Sequence, residues 1–205
     1  MAEIKLTKNE LRSQQNRLSL LLKYLPTLQL KKALLQLEVS EARVEIEAAK
    51  EEFDREEEVT QAFASVLTDP IWMPIQEMVK VSLVKKRYEN IAGVEVPYLD
   101  DVEFHPFSYA LFDTPAWLDG ALIHLKKLVK GKVRLQIAEE KRDALEKELR
   151  EVSIRVNLFE KVLIPRAERN IKKIKVFLGD QQLAAVSRAK VAKTKIQEAK
   201  LANAY

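Results

Sequence analysis

The sequence predicts a mainly α-helical protein: a long antiparallel two-helix coiled coil with a small central α/β insert that contains a β-hairpin. Ala, Leu, Glu, Lys and Arg make up 107 of the 205 residues, a composition typical of coiled coils and long helices. Glycine (4) and proline (7) are scarce, since an average chain carries roughly 12% of the two together. Apolar residues recur in steps of three and four near both ends, whereas four of the seven prolines lie between residues 70 and 106.

The N-terminal third carries a heptad pattern. Steps of three and four residues from Leu11 pass through thirteen positions as far as Phe53, and eleven of these are apolar. This exceeds the roughly three to four sustained heptads that indicate a coiled coil. Thr7 and Glu10 have the spacing of a capping box. We therefore expect one helix from about residue 8 to about residue 66.

Pro26 lies inside this pattern. An interior proline removes one backbone hydrogen bond and costs about 3 kcal/mol. Each buried leucine contributes about 1.5–3 kcal/mol, so a few neighbouring layers offset that cost. The sequence predicts a kinked but continuous helix, and the alternative is two helices joined by a tight turn near residues 25–27.

The central region has a different character. Residues 79–83 alternate apolar and polar side chains, and the short runs 94–96 and 102–104 do the same after turn-forming residues. Such alternation is typical of strands. We expect a β-hairpin between about residues 78 and 112, within an insert that covers residues 69–113. Residues 1–68 and 114–205 are then the two long helical segments.

A second helical pattern begins near Thr114-Pro115. Asp113 or Thr114 could cap it, and proline suits a first helical position. We expect a kink at Pro165 and a second weak point at Gly179-Asp180. The apolar seam of this helix runs through Leu145, Leu149, Val152, Val156, Phe159 and Leu163, and then through Ala167, Ile171, Ile174 and Leu178.

Charge is distributed unevenly along the chain. Residues 1–32 carry seven basic and two acidic residues, and residues 165–205 carry ten and three. The middle of the chain is net acidic, although the whole chain is +4. Antiparallel pairing is expected to bring both basic termini to one end of a rod. The basic C-terminal stretch is interpreted as a solvated face, a protein-partner contact, or a nucleic-acid or lipid contact, and its lack of interleaved aromatics argues against single-strand binding.

Signs of catalysis are absent from the sequence. The chain has no cysteine, and its two histidines, His105 and His124, lack the spacing of metal ligands. No phosphate-binding glycine motif occurs, and the acidic run 51–58 is interpreted as a solvated helix face. We expect no catalytic residue, no cofactor and no metal. No signal peptide is recognised, and no stretch of 18 apolar residues suggests a membrane span.

Two stretches carry a family resemblance. Residues 155–166, RVNLFEKVLIPR, resemble the RVNALE…IPR signature of the D subunits of V-type and archaeal A-type rotary ATPases, and residues 90–97, NIAGVEVP, are similar to their N-x-x-G-V-x-x-P element. Residues 178–182 depart from the family's LxExER run, and residues 28–33 are a degraded form of its N-terminal motif, which indicates a divergent bacterial branch. The matching signature residues are Arg155, Val156, Asn157, Pro165, Arg166, Asn90, Gly93 and Pro97.

The resemblance implies a central rotor shaft without chemistry of its own, which couples ATP turnover in a catalytic head to ion movement in a membrane ring. Implied partners are the catalytic A and B subunits, the F subunit and the ring-capping subunit, on the cytoplasmic face of the membrane and without direct insertion. The alternatives are a freestanding coiled-coil adaptor or holdase and a basic-tipped nucleic-acid binder. The residues expected to contact the head are Lys8, Arg12, Arg188, Lys190, Lys193 and Lys195.

Overall fold

The computed structural model describes residues 4–62, 75–108, 114–115 and 117–202. The predicted fold class is confirmed, because long helices flank a single two-stranded antiparallel hairpin in this part of the chain. Residues 1–30 and 153–205 form one compact unit, and residues 31–152 form another. The division into segments 1–68, 69–113 and 114–205 stays a prediction, because one compact unit combines residues from both ends of the chain. The elements are α1 (Lys8–Gln61), α2 (Ile75–Met78), β1 (Val81–Ile91), β2 (Val94–Phe104), α3 (Leu118–Leu158), a π-helical turn (Phe159–Leu163) and α4 (Ile164–Ala202).

Helix α1 begins at the predicted cap. The Glu10 backbone N–H donates to Thr7 Oγ1 over 3.3 Å, while the Glu10 carboxylate accepts a bond from Gln14 Nε2 at 2.8 Å. All thirteen predicted seam positions are buried or half-buried, and the spacing continues through Glu56 and Thr60. The expected extension to residue 66 falls partly outside the described residues.

Proline 26 does not end the helix. Helix α1 runs through Pro26 without interruption, so the alternative of two helices and a tight turn is wrong. Near the missing backbone donor, Thr27 Oγ1 donates to the Tyr24 carbonyl over 2.7 Å. The kink expected at this position stays a prediction.

The irregularity at Pro165 is a π-helical turn and not a break. The Ile164 N–H donates to the Phe159 carbonyl, five residues back, immediately before the proline. The seam residues 159, 163, 167 and 171 are separated by three consecutive steps of four, one residue more than a strict heptad repeat supplies. A π turn absorbs one extra residue, so the seam stays on one face. Helix α4 also continues through Gly179, so the expected weak point there does not interrupt it.

Helix α3 begins later than expected. Its first residue is Leu118, and the Leu118 N–H donates to the Pro115 carbonyl over 3.0 Å, which is the hydrogen bond of a turn that ends at Leu118. This turn delivers Leu118, which is fully buried, to a small cluster with Met78 and Leu122. Proline 115 is therefore not the first helical residue, and Asp113 lies outside the described residues.

The hairpin joins β1 to β2 through a tight turn. The pairing is antiparallel and runs from Ile91 opposite Val94 to Val81 opposite Phe104, with irregularities at Val81/Leu83 and Lys85/Lys86. Val96 and Val102 are its buried anchors. The strands therefore lie within the predicted region, although β1 begins three residues later than expected.

Each unit contains an antiparallel helix pair. In the unit of residues 31–152, ion pairs join α1 to α3 so that later residues of α1 pair with earlier residues of α3. Leu35, Leu145 and Val152 of these helices are fully buried. In the other unit, Gln29 Nε2 donates to Glu160 Oε1 over 2.5 Å, and Ile174 is fully buried. The predicted antiparallel pairing is thus confirmed inside each unit. The interhelical ion pairs of the first are Lys31–Glu148, Arg43–Glu146, Lys141–Glu45 and Arg134–Glu52, at 2.7–2.9 Å.

Candidate functional site

The six basic residues expected to contact a partner belong to one unit. Lys8 and Arg12 lie on the first two turns of α1, and the other four lie near the end of α4. All six side chains are exposed, and none forms an ion pair within the described residues. The structure therefore brings both basic termini into one unit, as the charge pattern predicted.

The two groups of basic residues differ in their surroundings. Lys8 and Leu11 line a shallow cleft with residues 175–185 of α4, so the N-terminal pair lies beside a neighbouring helix. Every residue from 181 to 199 is exposed. We call residues 186–199 the exposed segment; at 1.5 Å per residue it is about 20 Å long. Arg188, Lys190, Lys193 and Lys195 lie there, and nothing in the described part of the chain covers them.

The exposed segment also carries apolar side chains that the sequence analysis did not single out. Val186, Val191 and Ile196 are more than half exposed, and Leu183, just before the segment, is 69% exposed. Successive separations of three, five and five residues point these side chains to different sides of a helix with 3.6 residues per turn. The sequence could have revealed these side chains, because apolar residues continue along the chain after the seam pattern ends at Leu178.

Three signature residues lie in the hairpin, two of them at its turn. The Asn90 Oδ1 accepts a bond from the Gly93 N–H over 2.9 Å. Gly93 has a φ of 85°, a conformation that glycine adopts without steric cost. Pro97 is buried in β2 opposite Tyr88. Asn90 and Gly93 therefore stabilise the turn, Pro97 lies in the strand that follows it, and none of the three carries a reactive group.

The other signature residues surround the π turn. Val156 is buried in the seam, while Arg155 and Asn157 are exposed on the last turn of α3. Pro165 lies two residues after the last residue of the π turn, and Arg166 is exposed at a neighbouring cleft. The motif thus combines a packing position, a local helix irregularity and exposed polar groups.

A buried lysine links the hairpin to both helices of its unit. Lys141 on α3 is only 7% exposed, and its Nζ lies 2.9 Å from Glu45 Oε2 and 4.3 Å from the centre of the Tyr98 ring. Burial opposes the charge, but hydrogen bonds to Glu45 and Tyr98 outweigh it and raise the pKa of Lys141 above its ordinary value. Lys141 therefore stays charged and connects α1, α3 and β2.

Further polar contacts fasten the hairpin to α3. Lys86 Nζ lies 2.6 Å from Glu140 Oε2, and Lys130 Nζ lies 3.3 Å from Asp101 Oδ1. The backbone N–H of Val102 and the Lys130 ammonium both bond to Asp101, and they lower the pKa of its carboxyl group. The Lys126 ammonium lies 5.7 Å from the Phe104 ring centre.

The histidines lie apart from each other. The His105 backbone N–H donates to the Lys80 carbonyl, and His124 Nδ1 lies 3.5 Å from Glu56 Oε2. In the described ranges, no group of three or more His, Asp and Glu side chains could hold a metal ion. No helix within those ranges combines the length and apolarity that crossing a bilayer requires.

Comparison with known proteins decides the family. A family profile described as the ATP synthase D subunit matches residues 10–194. The chain belongs to the ATP synthase D-subunit family. It is 46% identical over 200 residues to the V-type ATP synthase D subunit of Chlamydia felis, which covers 97% of this chain and 96% of that protein. It is 45% identical over 203 residues to the protein of the same name in Chlamydia trachomatis serovar A, covering 97% and 98%.

The match confirms the resemblance found at residues 155–166 and 90–97. Both stretches lie inside the matched range, as do the departures at residues 28–33 and 178–182. The Chlamydia pneumoniae relative, which bears the same V-type ATP synthase name, is 43% identical over 196 residues. Membership of the family therefore extends over nearly the whole chain.

Proposed function

We propose that this chain is the central rotor shaft of a V-type ATPase, which transmits torque between the ATP-converting catalytic head and the ion-translocating membrane ring. Its family membership makes it similar to subunits of such a complex. The rotor-shaft role rests mainly on one observation, the exposed segment of α4. It extends from a helix pair as a basic single helix with apolar side chains on several sides.

The distribution of its side chains suits a helix enclosed by its partner. A surface helix of a globular protein keeps its apolar residues on one stripe, whereas a helix that is contacted all round does not. The scattered positions of Leu183, Val191 and Ile196 fit insertion into a cavity. The exposed cations suit a rotating contact, because surface ion pairs contribute roughly 0–1 kcal/mol each and would not lock the shaft at one angle.

Torque transmission also requires a stiff helix pair. Four interhelical ion pairs, one of which is formed by the buried Lys141, join the helices in the unit of residues 31–152. In the other unit a continuous seam of buried and half-buried residues, kept in register by the π turn, serves the same purpose. Both features support a mechanical role over a catalytic one.

As a rotor shaft, the chain would have defined partners and a defined location in the complex. The exposed segment, with Lys8 and Arg12, contacts the catalytic A and B subunits; the F subunit and the ring-capping subunit bind elsewhere on the chain. The protein has no catalytic residue or cofactor of its own, does not bind nucleic acid, and lies at the cytoplasmic face of the membrane as a peripheral component without direct insertion.

The alternative is a freestanding coiled-coil adaptor or holdase. The exposed apolar side chains of α1, among them Leu20, Leu22 and Leu30, could serve such a protein. Affinity purification of the tagged full-length chain separates the two proposals. A rotor shaft co-purifies with the A and B subunits in a fixed ratio, whereas an adaptor is recovered without them.

Charge reversal of the exposed segment tests the shaft directly. Single variants such as Lys190→Ala or Lys193→Ala are expected to change little, because each contact is weak. The fourfold variant of Arg188, Lys190, Lys193 and Lys195 to Glu is expected to weaken docking into the head and to uncouple ATP hydrolysis from ion pumping. Circular dichroism should show unchanged helix content, and coupled-activity assays on the reconstituted complex measure the loss.

A matched control carries the same change of charge elsewhere. Lys50, Lys132, Lys147 and Arg150 are exposed in the other unit, and their fourfold replacement by Glu should leave binding to the isolated catalytic head intact. If the fourfold variant of the exposed segment assembles and pumps like the unmodified protein, the proposed role of the charges in that segment is wrong.

A further inference from the structure

A second basic surface lies away from the exposed segment. It is a concave cleft of about 380 Å³ between the start of the chain, the first turns of α1 and the helix around Pro165. Its cations are Lys5, Arg17 and Arg166, and all three are exposed. The other residues that line it are Ile4, Glu10, Gln14, Leu163, Ala167 and Asn170.

The charges of this cleft are poorly compensated. Glu10 is its one carboxylate, and it accepts a hydrogen bond from Gln14. Lys5, Arg17 and Arg166 form no ion pair within the described residues. Three like charges around one cavity repel one another, and an anion placed among them would lower the electrostatic energy.

The floor of the cleft is apolar. Ala167 is buried and Leu163 and Ile4 are half-buried, so a ligand that carries both an anionic group and an apolar part fits best. Two guanidinium groups face the cavity, and their planar forks match carboxylates. The lining contains no glycine and no loop of converging backbone N–H groups of the kind that cradles phosphates.

We propose that this cleft receives an aspartate or glutamate side chain from an apolar segment of the catalytic head. The inference rests on the proposed function and adds a specific contact to it. It differs from the contacts of the exposed segment because it is concave and uses cations from both helices of the unit. It also assigns a role to Arg166 of the family signature.

Zero-length coupling tests this contact. A water-soluble carbodiimide joins a lysine amine to a carboxylate only when the two groups touch. In the reconstituted complex of the full chain with the catalytic head, we expect Lys5 to couple to an acidic residue of one of the A or B subunits, identified by mass spectrometry. The Lys5→Arg variant should lose this product and keep the charge.

Binding measurements supply a second readout. The Arg17→Glu/Arg166→Glu variant should bind the head about tenfold more weakly at low salt, and raising the salt concentration should remove the difference. The matched control, Lys23→Glu/Lys173→Glu, changes two exposed residues of the same unit outside the cleft and should bind within about twofold of the unmodified chain.

The outcomes separate this inference from the proposed function. In one outcome Lys190 or Lys193 couples to the head, Lys5 does not, and the two double variants bind with equal affinity. That outcome contradicts the cleft contact but not the proposed rotor-shaft role. Failure of the unmodified chain to bind the head contradicts the shaft itself. Binding of inorganic phosphate to the free chain, measured by calorimetry and lost in the Arg17→Glu/Arg166→Glu variant, would indicate a phosphate ligand and overturn the proposal.

Discussion

Lys141 shows how a single residue can hold three elements together. Its aliphatic stem is buried between helices, and its ammonium meets both Glu45 and the Tyr98 ring. No seam pattern singles it out, because a lysine on a helix is ordinarily a solvated residue. The role of Lys141 could be predicted only by knowing that β2 packs beside α3. Local periodicity in the sequence does not reveal such a long-range contact.

Replacing Lys141 by methionine tests this connection. The variant keeps an apolar stem and loses the charged hydrogen bonds, which contribute about 1–2 kcal/mol. We expect urea unfolding at pH 7 to show a loss of that size. Because the folded pKa is raised, the stabilising effect is present below the unfolded pKa of roughly 10.4 and is lost as the pH rises through the folded value. The difference between the proteins should therefore shrink in alkaline solution, whereas the exposed Lys50→Met control should stay within about 0.5 kcal/mol at neutral pH.

Two glycines should respond to the same substitution with opposite signs. Gly93 has a φ of 85° in the hairpin turn, so Gly93→Ala is expected to cost about 1 kcal/mol. Gly179 lies in the middle of helix α4, where an added Cβ would have no neighbour within 4 Å beyond the helix's own backbone and its chain neighbours, so Gly179→Ala should stabilise by about 0.5–1 kcal/mol. Equal effects in thermal unfolding would contradict the account of the turn.

At the scale of elements, the sequence predicted most of the helical architecture. The thirteen seam positions of α1 are all buried or half-buried, because a strict heptad repeat defines a face whatever partner covers it. The π turn could have been read from the three consecutive four-residue steps at Phe159, Leu163, Ala167 and Ile171. The start of α3 at Leu118 could not, since Leu118 is buried in a cluster with Met78 and Leu122, and local periodicity does not show that contact.

The exposed segment is predicted to differ dynamically from the rest of α4. A single helix of this length is marginally stable in water, because helices depend on packing for most of their stability. Hydrogen exchange of the isolated chain should therefore be fast for residues 186–199 and slow around Val152 and Val156, which are buried. Binding to the catalytic head should slow exchange in residues 186–199. Slow exchange there in the isolated chain would argue against an unsupported helix.

At the scale of the whole molecule, chain pairing has one functional consequence. Antiparallel helices place the two ends of the chain in the same unit, so two basic sequences far apart in the chain belong to one unit. The charge pattern predicted this gathering. It did not predict that α4 continues past the first turn of α1. An unpaired helix has no buried apolar stripe, so the sequence pattern does not show where it ends.

Rotation of the chain inside the complex is the central claim, and one measurement tests it most directly. The chain contains no cysteine, so the exposed Tyr88→Cys variant provides a single attachment point for a bead. With the catalytic head fixed to a surface, the account predicts that the bead turns in one direction when ATP is added and stops when it is removed. A bead that stays still while the same complexes hydrolyse ATP would contradict it.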